Sequence, residues 1–216
     1  FGLGMCVADL TMKKHIQDIV KEKIKGADDE EIEIFDEYLA SPKENSQKLY
    51  DYVSKTKDKD LLPYKNFIKD KTFFIVGGDG WAYDIGFSGI DHVLANNYNV
   101  NILVLDTEVY SNTGGQTSKS SQIGTVAKFA SHGKLSNKKD LTKIALTYKH
   151  AYVATVSLGA NMNQTIKVFK EAASYDGPSI IIAYAPCIAH GILKGMNNSI
   201  EEEKLATESG YFPLFR

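Results

Sequence analysis

Residues 72–76 (TFFIV) and 100–105 (VNILVL) are short, continuous apolar runs, and each breaks abruptly into a polar cluster. Runs of this kind read as buried parallel strands. Gly77-Gly78-Asp79-Gly80 follows the first run and Asp106-Thr107-Glu108 follows the second, with Ile85, Gly89, Ile90, Val93 and Leu94 recurring at helical spacing between them. Asp79 and Thr107 stand 28 residues apart. That is about one strand–helix–strand unit, which returns both residues to the carboxyl edge of a parallel sheet, where open α/β sheets bind ligands.

The rest of the chain extends the same pattern. Residues 140–148 (DLTKIALTY) read as a helix, 151–156 (AYVATV) as a strand, 162–173 as a helix and 179–184 (SIIIAY) as a strand after Gly177-Pro178. Strand runs alternating with helices predict an α/β fold with a doubly wound, mostly parallel sheet. Ahead of it, Met12, Ile16, Ile19, Val20 and Ile24 mark the apolar stripe of a first helix. Asp28 with Glu31 reads as the N-terminus of a second. Ser41-Pro42-Lys43-Glu44 has the pattern of a capping box with proline at the first helical position, so a third helix is expected there. The expected organisation is a helical segment at 1–70, inserted or appended, and an α/β domain at 71–216. The chain opens on Phe1 rather than Met, and the expectation is that it is a segment of a longer enzyme.

The chemistry that suits such an edge is a magnesium diphosphate. Magnesium takes oxygen ligands in near-octahedral geometry, commonly one or two protein groups with phosphates and water. Asp79 supplies an anionic oxygen. Gly78 and Gly80 allow close backbone approach, and the N-terminus of the following helix favours anions. By itself a Gly-Asp-Gly string reads more readily as a mere tight turn; its place at a strand end, one unit ahead of a second polar cluster, argues for the site. The stretch from Thr107 to Gly124, rich in Ser, Thr, Asn, Gln and Gly, is long for a structureless loop unless it works on a ligand.

The strings GGDGWAYDIG, LDTEVYSNTGGQTSK and YAPCIAHG resemble the C-terminal cofactor-binding region of pyruvate:ferredoxin oxidoreductases, from about residue 72 to residue 216. The related fused pyruvate:NADP+ oxidoreductases share the likeness. The resemblance implies thiamine diphosphate and Mg2+ as cofactors, with Asp79 and Thr107 ligating the metal by side chain and Val109 by its carbonyl. Thr107 departs from the general thiamine pattern, where Asn is common, and agrees with this family. Gly78, Gly80, Trp81, Asn112, Thr113 and Gly114 are the further implied cofactor contacts. Cys187, in Ala185-Pro186-Cys187-Ile188, matches a ligand of a 4Fe-4S cluster whose other cysteines lie outside this chain.

The implied reaction is oxidative decarboxylation of pyruvate with coenzyme A as acyl acceptor. Electrons would pass to ferredoxin, flavodoxin or a fused flavin domain, and the resemblance implies a homodimer. No catalytic residue is assigned within the segment, because the Glu that faces the aminopyrimidine comes from another domain, and the isolated segment is expected to be inactive. The alternatives are an iron-free thiamine-diphosphate enzyme of the acetolactate synthase type and a non-catalytic magnesium-phosphate or assembly module.

Composition sets the outer limits. Hydrophobic residues make up 43% and charged residues 24% of the 216, as in ordinary globular proteins. A formal net charge of −2 argues against a nucleic-acid surface, and no apolar run approaches the roughly 20 residues of a membrane span. Cys6 and Cys187 make no disulfide framework, which suits the cytoplasm or a reducing organelle. Cys6 reads as a buried thiol. His15, His92, His132, His150 and His190 show no metal-ligand spacing; His190 is set apart only by standing near Cys187.

Overall fold

The computed structural model describes residues 2–190, 192 and 194–216, with the side chain of His190 outside that description. The chain divides into two compact units, Phe1–Thr72 and Phe73–Arg216.

The first unit is helical. α1 (Gly2–Lys23), α2 (Asp29–Ala40), α3 (Ser46–Thr56) and the single turn α4 (Lys65–Ile68) enclose Ile16, Val20, Phe35, Tyr38, Leu49, Val53, Leu61 and Ile68. Each such side chain contributes about 1.5–3 kcal/mol on burial. Asp28 caps α2 as expected: its carboxylate accepts the Glu31 N–H at 2.9 Å, and Glu31 returns a bond to the Asp28 N–H. The third helix begins later than expected. Ser41 does reach Glu44, hydroxyl to carboxylate at 3.0 Å, but residues 42–44 form a turn and α3 opens at Ser46. Asn45 holds that turn by donating to the Glu37 carbonyl at 2.8 Å. Lys23 braces the unit by binding Asp58 and Asp60 at 2.8 and 2.9 Å.

The second unit is the α/β domain. β1 (Phe74–Gly78), β2 (Asn101–Asp106), β5 (Tyr152–Val156) and β6 (Ser179–Tyr184) form a parallel sheet in the order β1-β2-β6-β5, while β3 (Val109–Tyr110) and β4 (Gln116–Thr117) make a separate antiparallel hairpin. Gly78 is level with Leu105, and Asp106 with Tyr184, so the three strand ends that lead to Asp79, Thr107 and Cys187 share one edge. α5 (Phe87–Ala95) connects β1 to β2, α6 (Leu141–Leu146) precedes β5, and α7 (Met162–Ser174) connects β5 to β6. α8 (Ser199–Glu208) follows. At the β5 edge the Thr155 N–H donates to the Phe215 carbonyl at 2.9 Å, adding an antiparallel bridge.

The strand at 72–76 was expected to be buried on both faces, and it is not. β1 pairs with β2 alone among the described residues, and its side chains alternate between exposed and half-buried, Val76 reaching 56%. The reason lies in helix coverage. α7 packs Val168 and Ala172 onto Ala154, Val156 and Ile181, at the β5–β6 end of that sheet face. Phe169 reaches Phe74 in a stacked contact at 5.9 Å, and Val76 and Leu105 stay exposed beyond it. Among the described residues no helix is long and apolar enough to cross a membrane.

Candidate functional site: converging oxygens at the sheet edge

β1 delivers Asp79 to the sheet edge in helical conformation (φ −61°, ψ −40°), and the chain then enters a π-helical turn, Gly80–Ile85. The Gly86 N–H reaches back five residues to the Trp81 carbonyl at 2.8 Å. This wide turn replaces the ordinary helix start expected after the glycines; the α-helix begins at Phe87. The glycines serve packing as well as approach. A Cβ on Gly80 would stand 2.1 Å from the Tyr110 ring, and Cβ atoms on Gly77 and Gly86 would stand 2.3 and 2.2 Å from Trp81, whose indole occupies the slot between them. Gly78 is exposed and would meet only the Leu105 carbonyl, at 4.0 Å.

Asp79 is buried. Its Oδ1 accepts the Thr107 hydroxyl at 2.8 Å, and its Oδ2 accepts the Ser118 hydroxyl at 2.5 Å. Thr107 Oγ1 also lies 2.9 Å from the Val109 carbonyl oxygen. One hydroxyl proton cannot serve both acceptors fully, so three oxygens converge with less than one proton per contact. Adjacent ligands of an octahedral magnesium ion, with bonds of about 2.0–2.1 Å, stand about 2.9 Å apart. The donor set of carboxylate, hydroxyl and carbonyl oxygens is also the set a hard dication takes. The three residues therefore fit the metal. Burial holds the Asp79 carboxyl above its ordinary value, Asp106 adds to the rise, and the Ser118 and Thr107 hydroxyls partly offset it.

Behind these oxygens lies a second, buried polar layer. Asp106 accepts from Tyr83 at 3.0 Å, Ser120 at 2.5 Å and Lys138 at 2.7 Å. Glu108 binds the same Lys138 at 2.7 Å and accepts the Tyr211 hydroxyl at 2.5 Å, and the Ser121 hydroxyl donates to its backbone carbonyl. Burial alone would lower the Lys138 pKa, but Asp106 and Glu108 outweigh it and the net shift is upward. Sequence reasoning assigned no role to Asp106, Glu108, Ser120, Ser121, Lys138 or Tyr211. Lys138 sits in the string Asn137-Lys138-Lys139-Asp140, which has the composition of a solvated turn.

The stretch after Thr107 is not structureless. The β3–β4 hairpin is closed by the Gly115 N–H to the Tyr110 carbonyl at 2.8 Å, with Gly114 and Gly115 at φ +101° and +87°. Asn112, Thr113 and Gly114 are exposed at its tip, apart from the buried oxygens, and Thr113 bonds Gln116 at 2.6 Å. Trp81 is half-buried in its glycine slot. Cys187 is a half-buried free thiol just past β6, and its sulfur accepts the Ala189 N–H at 3.3 Å. A Cβ on Gly115 would stand 3.3 Å from Ala189, which places the Cys187 turn beside the hairpin. Among the described residues no group of three or more His, Cys, Asp and Glu is placed to hold a metal. Cys6 is buried as expected, and burial pushes its thiol up. The question of His190 falls on a side chain outside the described residues.

Residues 64–183 match the family described as thiamine pyrophosphate enzyme, C-terminal TPP binding domain. The chain belongs to this family. It is 44% identical over its full length to the mitochondrial pyruvate dehydrogenase [NADP(+)] of Euglena gracilis and 57% identical over 73% of its length to the pyruvate:ferredoxin oxidoreductase of Moorella thermoacetica. It is also 42% identical over its full length to a pyruvate-flavodoxin oxidoreductase of Klebsiella pneumoniae. The chain spans 13%, 13% and 20% of the length of these relatives. Among solved structures, a 2-oxoglutarate:ferredoxin oxidoreductase from Magnetococcus marinus, with 2-oxoglutarate, coenzyme A and succinyl-CoA bound, superposes with a TM-score of 0.52 at 24% identity. The match covers 58% of this chain and 43% of that one, and shows the shared fold.

Proposed function

We propose that this chain is the magnesium–diphosphate-binding region of a larger, homodimeric thiamine-diphosphate enzyme that oxidatively decarboxylates pyruvate and passes the acetyl group to coenzyme A. Electrons leave through a 4Fe-4S cluster to ferredoxin, flavodoxin or a fused flavin domain. The observation that carries the reading is the convergence of Asp79 Oδ1, Thr107 Oγ1 and the Val109 carbonyl at 2.8 and 2.9 Å. Relatives at 42–57% identity named for pyruvate oxidation support the substrate class.

When bound, thiamine diphosphate supplies carbanion stabilisation at its thiazolium ring, while the protein contributes binding, orientation and electrostatics. Asp79, Thr107 and Val109 would hold the metal that anchors the diphosphate, Ser118 aims the second Asp79 oxygen, and Asn112, Thr113 and Gly114 of the hairpin would contact the cofactor. Gly78, Gly80 and Trp81 shape the turn that carries Asp79. Cys187, half-buried beside that hairpin, would complete the cluster with cysteines from elsewhere in the enzyme. The cytoplasm or a reducing organelle suits both the cluster and the free thiols.

The test is Asp79→Ala in the intact enzyme, titrated calorimetrically with thiamine diphosphate and Mg2+. Loss of a charge-assisted ligand costs about 1.5–3 kcal/mol, or roughly 10- to 150-fold in affinity. Unchanged affinity removes Asp79 from the site.

A further inference from the structure

Thr107 is flanked on both sides by buried carboxylates that a single ammonium group ties together. Lys138 Nζ lies 2.7 Å from Asp106 Oδ2 and 2.7 Å from Glu108 Oε1. Between these two anchors the backbone turns through an unfavourable conformation: Glu108 has φ +61°. The other non-glycine residues with positive φ among those described, Lys57, Asn97, Phe129 and Lys149, are exposed, whereas Glu108 is 1% exposed. A left-handed, buried glutamate persists only where its surroundings over-determine it.

They do so here through every polar group it has. Its N–H donates to Asp106 Oδ1 at 3.1 Å and its carbonyl accepts from Ser121. One carboxylate oxygen meets Lys138 and the other accepts the Tyr211 hydroxyl at 2.5 Å. The turn that results points Thr107 Oγ1 and the Val109 carbonyl at each other, 2.9 Å apart.

We propose that Lys138 is a positioning residue: by clamping Asp106 and Glu108 together, with Tyr211 as second anchor, it sets the turn that presents Thr107 and Val109 to the metal. This rests on the reading that Asp79, Thr107 and Val109 take magnesium. The clamp touches neither metal nor substrate, and it acts by removing alternative conformations of the ligand turn before the metal arrives.

The experiment is a Mg2+ titration of the intact apoenzyme at fixed, saturating thiamine diphosphate, followed by calorimetry and, with Mn2+ as substitute, by paramagnetic resonance. Lys138→Met is expected to raise the half-saturating Mg2+ concentration about tenfold or more, and Lys138→Arg, which keeps both ion pairs, by less than about threefold. Turnover of Lys138→Met should return to within about twofold of wild type once Mg2+ saturates. Tyr211→Phe deletes one hydroxyl from a residue that is 43% exposed and should raise the half-saturating concentration about three- to tenfold. It decides the question if Lys138→Met does not fold. Wild-type Mg2+ titrations for Tyr211→Phe and for any folded Lys138→Met overturn the proposal, as does lost turnover at saturating Mg2+ with an unchanged titration. If Asp79→Ala also binds Mg2+ like wild type, the metal lies elsewhere and the underlying reading has failed first.

Discussion

Trp81 is the single tryptophan of the chain, and its indole lies in a slot whose walls are the Cα atoms of Gly77 and Gly86. Adding one methyl group to either wall tests whether that slot holds the π-helical turn. An alanine Cβ at position 77 would start 2.3 Å from Trp81 Cε3, so the ring must retreat by about 1 Å to reach ordinary contact at 3.4 Å. At position 86 the new Cβ would meet the ring at 2.2 Å and also the Trp81 carbonyl at 2.9 Å, the group that accepts the Gly86 N–H. A ring can tilt, but that carbonyl cannot move without opening the turn, so Gly86→Ala should be the more damaging change.

Overpacking of this kind costs about 1–3 kcal/mol. For a chain of this size the melting temperature falls by about 2–4 °C per kcal/mol, a total of about 2–12 °C. Thermal unfolding by circular dichroism gives the stability, and tryptophan emission gives the ring's position without a label; a half-buried indole pushed toward solvent should emit further to the red. The control is Trp81→Leu. With the ring absent, Gly77→Ala should cost little, so the double-mutant cycle should return a coupling near the full single-mutant penalty. Unchanged melting and emission in Gly86→Ala, or an equal penalty for Gly77→Ala in the Trp81→Leu background, would refute the slot argument.

Two further outcomes follow from buried or edge groups. Burial raises the Glu203 carboxyl above its ordinary value, against the smaller opposing effect of the Gly159 N–H that it accepts at 2.5 Å. A raised carboxyl destabilises the fold increasingly as pH climbs from its unfolded value through its folded one. Glu203→Gln, which keeps an acceptor for Gly159, should therefore melt above wild type at pH 7, the gap closing toward pH 4 in a melting series; a gap that widened on acidification would contradict this. On the proposed reading of Cys187 as a cluster ligand, Cys187→Ser in the intact enzyme should make the proposed iron–sulfur cluster labile while leaving thiamine diphosphate content near wild type, since oxygen is a harder donor than thiolate. An undisturbed paramagnetic signal from the reduced enzyme would return Cys187 to the role of a packed thiol.

The strand ends were legible because the sheet is parallel: continuous apolar runs stop where the pairing stops, and the βαβ period then places Asp79 and Thr107 at one edge. The boundaries moved by a residue or two, with β1 running through Gly78, because glycine at a strand end leaves no local signal to separate ladder from turn. The uneven coverage of β1 was not legible, since it depends on how far α7 extends across the sheet, which is a tertiary matter. Lys138 and Ser120 were missed for the opposite reason. Their composition is that of a solvated loop, and only close approach to the strand ends buries Ser120 and half-buries Lys138.

What the sequence does carry, once the fold is known, is a concentration of broken local rules. A π-helical turn, a left-handed buried glutamate and three buried carboxylates, Asp79, Asp106 and Glu108, all lie within or directly behind the converging oxygens. Such departures persist where function offsets their cost. The charges argue the same point. Three buried carboxylates face one half-buried ammonium, Lys138, which sits on Asp106 and Glu108 and leaves Asp79 to two hydroxyl donors. Asp79 accordingly has its proton affinity raised by burial. A dication bound there would oppose that rise directly, favouring the charged carboxylate and compensating for its desolvation. On the reading that Asp79, Thr107 and Val109 take magnesium, the charge that completes this site is positive.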